Sequence, residues 1–299
     1  MSTDVAAMGL GETYSIAAAA TWALGVIGYA KLGRSLAPQR LNWLKNLLVL
    51  AMLVPATLWF DGVVAPALSP LQMLVCALSG LIGIGIADTI YFRSLNALGP
   101  GHMGVLGNLY SPLMIVLSFV FLGERLNLQQ LLGFALVSAG VIVVSSSGAG
   151  TVPARGQLRH VLHAAASILL MAGSVIMVKR ILETHSVWWV SSLRVAGGVA
   201  GLWLIGIGGA RAGDAASKAP LPWRRWMLLL LAAFVGQFLS MLFWLNGYKY
   251  TSASVAAILN ETASIFIVLF AWLLLGETVS RRRLLGTAMA IAGVALMLW

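Results

Sequence analysis

The sequence predicts an all-α polytopic membrane protein, with ten transmembrane helices arranged as two inverted five-helix repeats. Three observations carry that expectation. The 299 residues are 60% hydrophobic and only 9% charged, whereas a soluble domain carries about 25% charged residues. Apolar runs long enough to span a bilayer recur between short polar or glycine-rich breaks. The second half of the chain restates motifs of the first at a fixed distance.

The composition leaves too little polar surface to coat a water-soluble globule. Thirty-two glycines and eleven tryptophans suit a bilayer, where glycine lets helices approach and tryptophan settles at headgroup level. The net charge of +10 lies in short Lys and Arg runs between apolar segments. That pattern is topogenic, and without a basic stripe interleaved with aromatics it does not point to nucleic acid. One cysteine, Cys76, excludes disulfides and a cysteine-based metal site within the chain. The four histidines lack HExxH spacing and no Gly-rich phosphate loop occurs, so no cofactor is expected. Asp4 and Glu12 without Lys or Arg in the first twenty residues predict a retained N-terminus rather than a cleaved signal peptide.

A span needs about 20 mostly apolar residues. By that measure spans fall near 9–30, 43–60, 71–96, 102–122, 129–147, 161–180, 187–208, 226–248, 252–275 and 283–299. Turn-forming or charged residues separate them, among them Gly99 to Gly101, Glu124 to Gln129 and Ser145 to Arg159. The least marked break is the short stretch from Lys249 to Ser252, between spans 8 and 9.

The repeat is explicit. Leu122-Gly123-Glu124, Leu131-Leu132-Gly133 and Ala139-Gly140-Val141 return as Leu275-Gly276-Glu277, Leu284-Leu285-Gly286 and Ala292-Gly293-Val294, each 153 residues later. Lys45 in span 2 matches Arg194 in span 7, and Lys31 closes span 1 as Lys179 closes span 6. Residues 1–150 and 151–299 are therefore two five-helix units. An odd number of spans per unit makes the second enter the membrane from the opposite side. Such inverted halves can exchange conformations around one central site, which is the logic of a transporter.

Gly-Glu closing spans 4 and 9, each followed by an apolar helix with an internal Ala-Gly in a 5+5 chain, resembles the drug/metabolite transporter superfamily, EamA-type branch. The resemblance covers essentially the whole chain. It implies export or exchange of small metabolites such as amino acids, with substrates that vary across the family.

Most basic residues fall in the loops opposite the N-terminus, from Lys31 and Arg34 to Arg281, Arg282 and Arg283. The positive-inside rule makes that side cytoplasmic and puts both termini outside. The family resemblance implies both termini inside. The charge count belongs to this chain and is preferred for a multi-pass protein of the plasma, that is bacterial inner, membrane.

Glu261 stands about 9 residues into span 9, roughly 13 Å along its axis, beside Asn260. A carboxylate at that depth is costly unless neutralised or paired, and it is the kind of group a proton-coupled carrier uses. A structural hydrogen bond from a protonated Glu is the alternative. In the repeat register Glu261 corresponds to Asn108, and Pro112 cannot donate to the Asn108 carbonyl. Corresponding interrupted polar positions point to a binding site, a packing kink being the other reading.

Asp88, with Tyr91 and Phe92 three and four residues on, makes a face suited to an amine or aromatic metabolite, unless it pairs with Arg93 near the helix end. Arg194 and Lys45 either bind a substrate carboxylate, pair with an acidic side chain, or snorkel. Gln237, Trp244 and Asn246 are candidates for the cavity wall in span 8. Glu124, Glu277 and Pro112 are read as structural. No metal role is assigned to His102 or His163, which lack acidic or cysteine partners at ligand spacing.

The expected activity is a secondary transporter for small organic, amino-acid-like or amphipathic solutes, working by alternating access as an exporter, with proton coupling. A lipid-like substrate or proton-independent exchange is the alternative, and an intramembrane enzyme or scaffold a remote one. The expected partners are a small-molecule substrate, the lipid bilayer and protons, with monomer or homodimer left open.

Overall fold

The computed structural model describes residues 9–33, 36, 38–62, 67–146, 158–204, 221–275 and 281–298. All elements among the described residues are helical. In the first half, α1 (Leu10–Gly33) and α2 (Pro38–Phe60) are followed by α3 (Pro70–Gly80). A π-helical turn, π1 (Leu81–Ala87), carries α3 into α4 (Asp88–Gly107), and α5 (Tyr110–Leu122) and α6 (Leu128–Ser146) complete the unit. The second half holds α7 (Leu158–Thr184), α8 (Val187–Leu202) and α9 (Trp223–Ala233), then π2 (Phe234–Leu239) and α10 (Ser240–Tyr250). It ends with α11 (Ala253–Asn260), α12 (Ala263–Leu275) and α13 (Arg281–Leu298). Grouped across their π turns and breaks, these helices are ten transmembrane spans in two inverted five-helix units.

Local chemistry sets the helix ends. Ser69 and Gln72 form a reciprocal capping box over α3, with Pro70 in the first turn, where its missing N–H costs nothing. Ser186 caps α8 and also donates to the carboxylate of Asp61 from the first half. Gly123, at φ 73°, ends α5 in the left-handed conformation that glycine alone adopts without strain.

The repeat is visible in backbone irregularities as well as in motifs. π1 begins at Leu81 and π2 at Phe234, again 153 residues apart. Each π turn lies where a helix of the same bundle comes too close for a side chain: Gly236 against Gly25 of α1, and Gly83 against Ser174 of α7. The sequence places a turn at Gly99 to Gly101, but helical hydrogen bonding continues through it in α4. Glycine and proline are tolerated inside a membrane helix when neighbours re-satisfy the backbone. The interruption falls instead at Asn108 and Leu109, so Asp88 lies mid-way along a long helical run rather than near its end.

The α6 and α13 pair packs through two glycine contacts. A Cβ on Gly133 would stand 2.8 Å from the carbonyl oxygen of Gly293, and one on Gly293 equally close to that of Gly133. A Cβ on Gly140 would run into the carbonyl oxygen of Gly286. Since Gly133 corresponds to Gly286 and Gly140 to Gly293, the contact is isologous and antiparallel. That is what a two-fold axis lying in the membrane plane produces. The interior cluster joins both halves, with Val49, Cys76 and Met114 against Val175, Met241 and Tyr248. Trp59, Trp203 and Trp223 stand exposed near span ends, as interface anchors do.

Candidate functional site

The fourth span of each half is broken at corresponding positions. Turns at Asn108–Leu109 and Glu261–Thr262 are 153 residues apart, and α12 matches α5 residue for residue. The two breaks have different causes. In the first, Pro112 removes the N–H that the Asn108 carbonyl would receive, and the chain tightens to a Leu109 N–H to Leu106 carbonyl bond of 3.0 Å. The second has no proline, since Ile265 occupies the matching place. There the hydroxyl of Thr262 donates to the Leu259 carbonyl (2.6 Å) and that of Ser264 to the Glu261 carbonyl (2.8 Å). The backbone N–H groups of Glu261, Thr262, Ser264 and Ile265 all bond three residues back. Side-chain hydroxyls thus do in one half what proline does in the other.

Around the paired breaks lies a set of buried polar atoms without closed hydrogen bonds. Both carboxylate oxygens of Glu261, the Asn108 amide nitrogen and the hydroxyls of Ser111 and Ser138 belong to it. The Glu261 carboxylate faces the hydroxyl and backbone N–H of Ser111 and the hydroxyl of Ser138, near enough to interact but short of standard geometry. Ser111 is the second residue of α5, whose first-turn N–H groups lack helical partners. A carboxylate from the second half thus points at a half-helix N-terminus of the first. Asn260 turns away, its amide donating to the Ala256 carbonyl at 2.7 Å.

A second cluster lies one residue along. Tyr110, beside Ser111, shares a 3.0 Å hydroxyl contact with Tyr248 of α10. Both hydroxyls are within electrostatic reach of the Arg194 guanidinium, as are Cys76 and Asp88. Arg194 is buried inside α8 and does not snorkel. Its Nη1 donates to Ser79 Oγ (3.0 Å) and the Ser174 carbonyl (2.9 Å), while its Nε is buried without a partner. Lys45, equally buried, stands 3.9 Å from the Asp88 carboxylate and 5.8 Å from the ring centre of Tyr29. Asp88 therefore takes Lys45 as its ion-pair partner, in place of Arg93, which is exposed at the surface. Tyr91 is half-buried and within reach of Asp88.

The other candidates are spread along span 8. Gln237 belongs to π2 with its carbonyl oxygen buried and unpartnered. Trp244 stands edge-on to Tyr248 at 5.1 Å, and Asn246 bonds back to the Leu242 carbonyl. Glu124 accepts from the backbone N–H groups of Ala253 (2.9 Å) and Ser254 (3.1 Å), capping α11 from the other half. Glu277 lies outside the described residues. Among the described residues no group of three or more His, Cys, Asp or Glu could hold a metal ion. A cavity of about 250 Å³ between α1 and α9, lined by Leu24, Ile27, Lys31 and Leu231, is apolar and shares no residue with either cluster.

Sequence reasoning did not single out Ser138, Tyr110 or Tyr248. Tyr110 was within reach of the repeat argument, two residues after Asn108. Ser138 and Tyr248 have polar partners only through tertiary packing, and no spacing along the chain announces them.

A family model for EamA-like transporters matches residues 9–146 and again 158–299. The chain belongs to the EamA-like transporter family. Each match covers one half, so the family unit is the five-helix repeat. No curated protein sequence matches the chain. A solved crystal structure shares the fold, with a TM-score of 0.79 over 96% of this chain and 95% of its own at 18% identity.

Proposed function

We propose that this EamA-like transporter is a secondary carrier that exports small organic metabolites by alternating access, with Glu261 as its proton-coupling group. The observation that carries the reading is the pair of helix breaks, with the Glu261 carboxylate of one half aimed at the α5 N-terminus of the other. Irregular backbone inside a membrane is tolerated where it lines a cavity or is buried in protein. Discontinuous helices at matching places in inverted repeats form the substrate and ion sites of alternating-access carriers. An ionisable residue at such a place is a functional group by default.

The same geometry suggests a two-position cycle. With Glu261 protonated, its O–H can donate to Ser111 or Ser138. Deprotonated, the carboxylate is stabilised by the α5 N-terminus and both hydroxyls. Loss of the proton thus draws the two breaks together, and uptake relaxes them. Such a change across the interface of two inverted halves is a means of rocking one against the other. On this reading the chain is a carrier in the bacterial inner membrane, no enzyme, with both termini on the non-cytoplasmic side.

The test is untargeted metabolite analysis of cells and medium on overexpression. The expected result is one class of small organic solute enriched in the medium with the wild-type chain and absent with Glu261→Gln. Equal enrichment with both chains would remove Glu261 from the mechanism.

A further inference from the structure

Charge is not balanced between the halves. Lys45 of α2 and Arg194 of α8 each stand seven residues after the first residue of their helix, Pro38 and Val187, and both are buried. Lys45 has Asp88 at 3.9 Å. The residue of the second half that corresponds to Asp88 is Met241, 153 positions later. The second half therefore keeps the cation and omits the counter-carboxylate.

The surroundings of Arg194 agree. Its Nη1 donates to neutral oxygens, Ser79 Oγ at 3.0 Å and the Ser174 carbonyl at 2.9 Å, and its Nη2 reaches Ser174 Oγ only at 3.5 Å. No carboxylate forms a salt bridge with it among the described residues. Its Nε is buried without a partner. The one carboxylate within its electrostatic reach, Asp88, is already paired with Lys45, so two buried cations share a single anion, and the desolvation cost of the guanidinium is one that an arriving anion would offset. The Tyr110–Tyr248 hydroxyl pair lies within its electrostatic reach and has a proton left to donate. Trp244 stands against Tyr248, and Met114 and Met241 belong to the same buried cluster.

We propose that Arg194, assisted by the Tyr110–Tyr248 hydroxyls, is the anchor for an anionic substrate group, and that the cargo is an organic carboxylate on an apolar or aromatic body. The guanidinium supplies the bidentate fork that a carboxylate fits. Trp244 and the methionines supply the apolar wall for the body. The inference rests on the carrier reading above, naming the substrate class for a site one residue from Ser111. It does not depend on proton coupling at Glu261.

The experiment uses the full chain in nanodiscs and three probes with one phenyl body: phenylacetate, phenylacetamide and 2-phenylethylamine. Binding is read by intrinsic tryptophan fluorescence and by thermal shift, without a pH gradient, so its outcome is separable from any failure of proton coupling. The expected order places phenylacetate first. Arg194→Gln is expected to weaken phenylacetate by about 30-fold or more, while binding of the neutral amide changes little. Arg194→Lys, which keeps the charge but not the fork, should fall between. Should Arg194→Gln not fold, the probe order on the wild-type chain and the Arg194→Lys result decide. No preference for the carboxylate, a preference for the amide or amine, or unchanged phenylacetate affinity in both variants overturns the proposal.

Discussion

Glu124 of the first half holds the backbone N–H of Ala253 at 2.9 Å, at the start of the short helix whose other end is Glu261. Its second oxygen takes the N–H and hydroxyl of Ser254. One carboxylate thus fixes α11 from outside its own half, and with it the position of the break. Glu124→Ala should lower stability by about 1–2 kcal/mol, the usual range for a lost cap. Glu124→Gln should cost less, since one oxygen remains. Thermal unfolding in nanodiscs measures both, and equal stability of Glu124→Ala and wild type would count against the cap.

The α6–α13 contact leaves no room for a methyl group. Gly140→Ala is expected to destabilise by about 1–3 kcal/mol, as overpacking does, because the added Cβ runs into Gly286 and Ala290. Gly173→Ala is the matched control. Nothing lies within 4 Å of a Cβ there, and alanine gains about 1 kcal/mol of helix propensity over glycine. Melting temperatures should move in opposite directions.

Pro112→Ala restores the N–H that the Asn108 carbonyl lacks. The expected outcome is a more stable chain, with the break at Asn108–Leu109 partly healed and transport reduced about tenfold, the loss expected of roughly 1.4 kcal/mol. Unchanged transport together with a raised melting temperature would mean that this break serves packing alone.

Asp88→Asn removes the ion-pair partner of buried Lys45. Breaking such a pair costs about 3–5 kcal/mol when one charge is left behind. The double variant Asp88→Asn with Lys45→Met should recover much of that loss. A double-mutant cycle in chemical denaturation gives the coupling directly, and a coupling near zero would show that the 3.9 Å approach contributes nothing.

The large-scale fold was legible because lipid and repetition both write themselves into sequence. Ten apolar runs and a 153-residue register gave span number and inversion, and the same register set Asn108 and Glu261 at corresponding positions of the two halves. What failed was punctuation. Gly99, Pro100 and Gly101 look like a turn, yet helix continues across them. The opposite happens at Glu261, where no glycine or proline warns of a break made by Thr262 and Ser264 hydroxyls. Asp88 was placed too near a helix end, so its pairing with Lys45 rather than Arg93 was not apparent. Tyr110, Tyr248 and Ser138 became visible only when helices far apart in sequence were brought together.

Proton coupling through Glu261 is the central claim, and flux in proteoliposomes tests it most directly. The metabolite enriched in the medium of overexpressing cells serves as the tracer, with and without an imposed pH gradient. The account predicts gradient-driven accumulation for wild type and none for Glu261→Gln, while exchange of labelled for unlabelled substrate persists in the variant. Full gradient-driven accumulation by Glu261→Gln would contradict it.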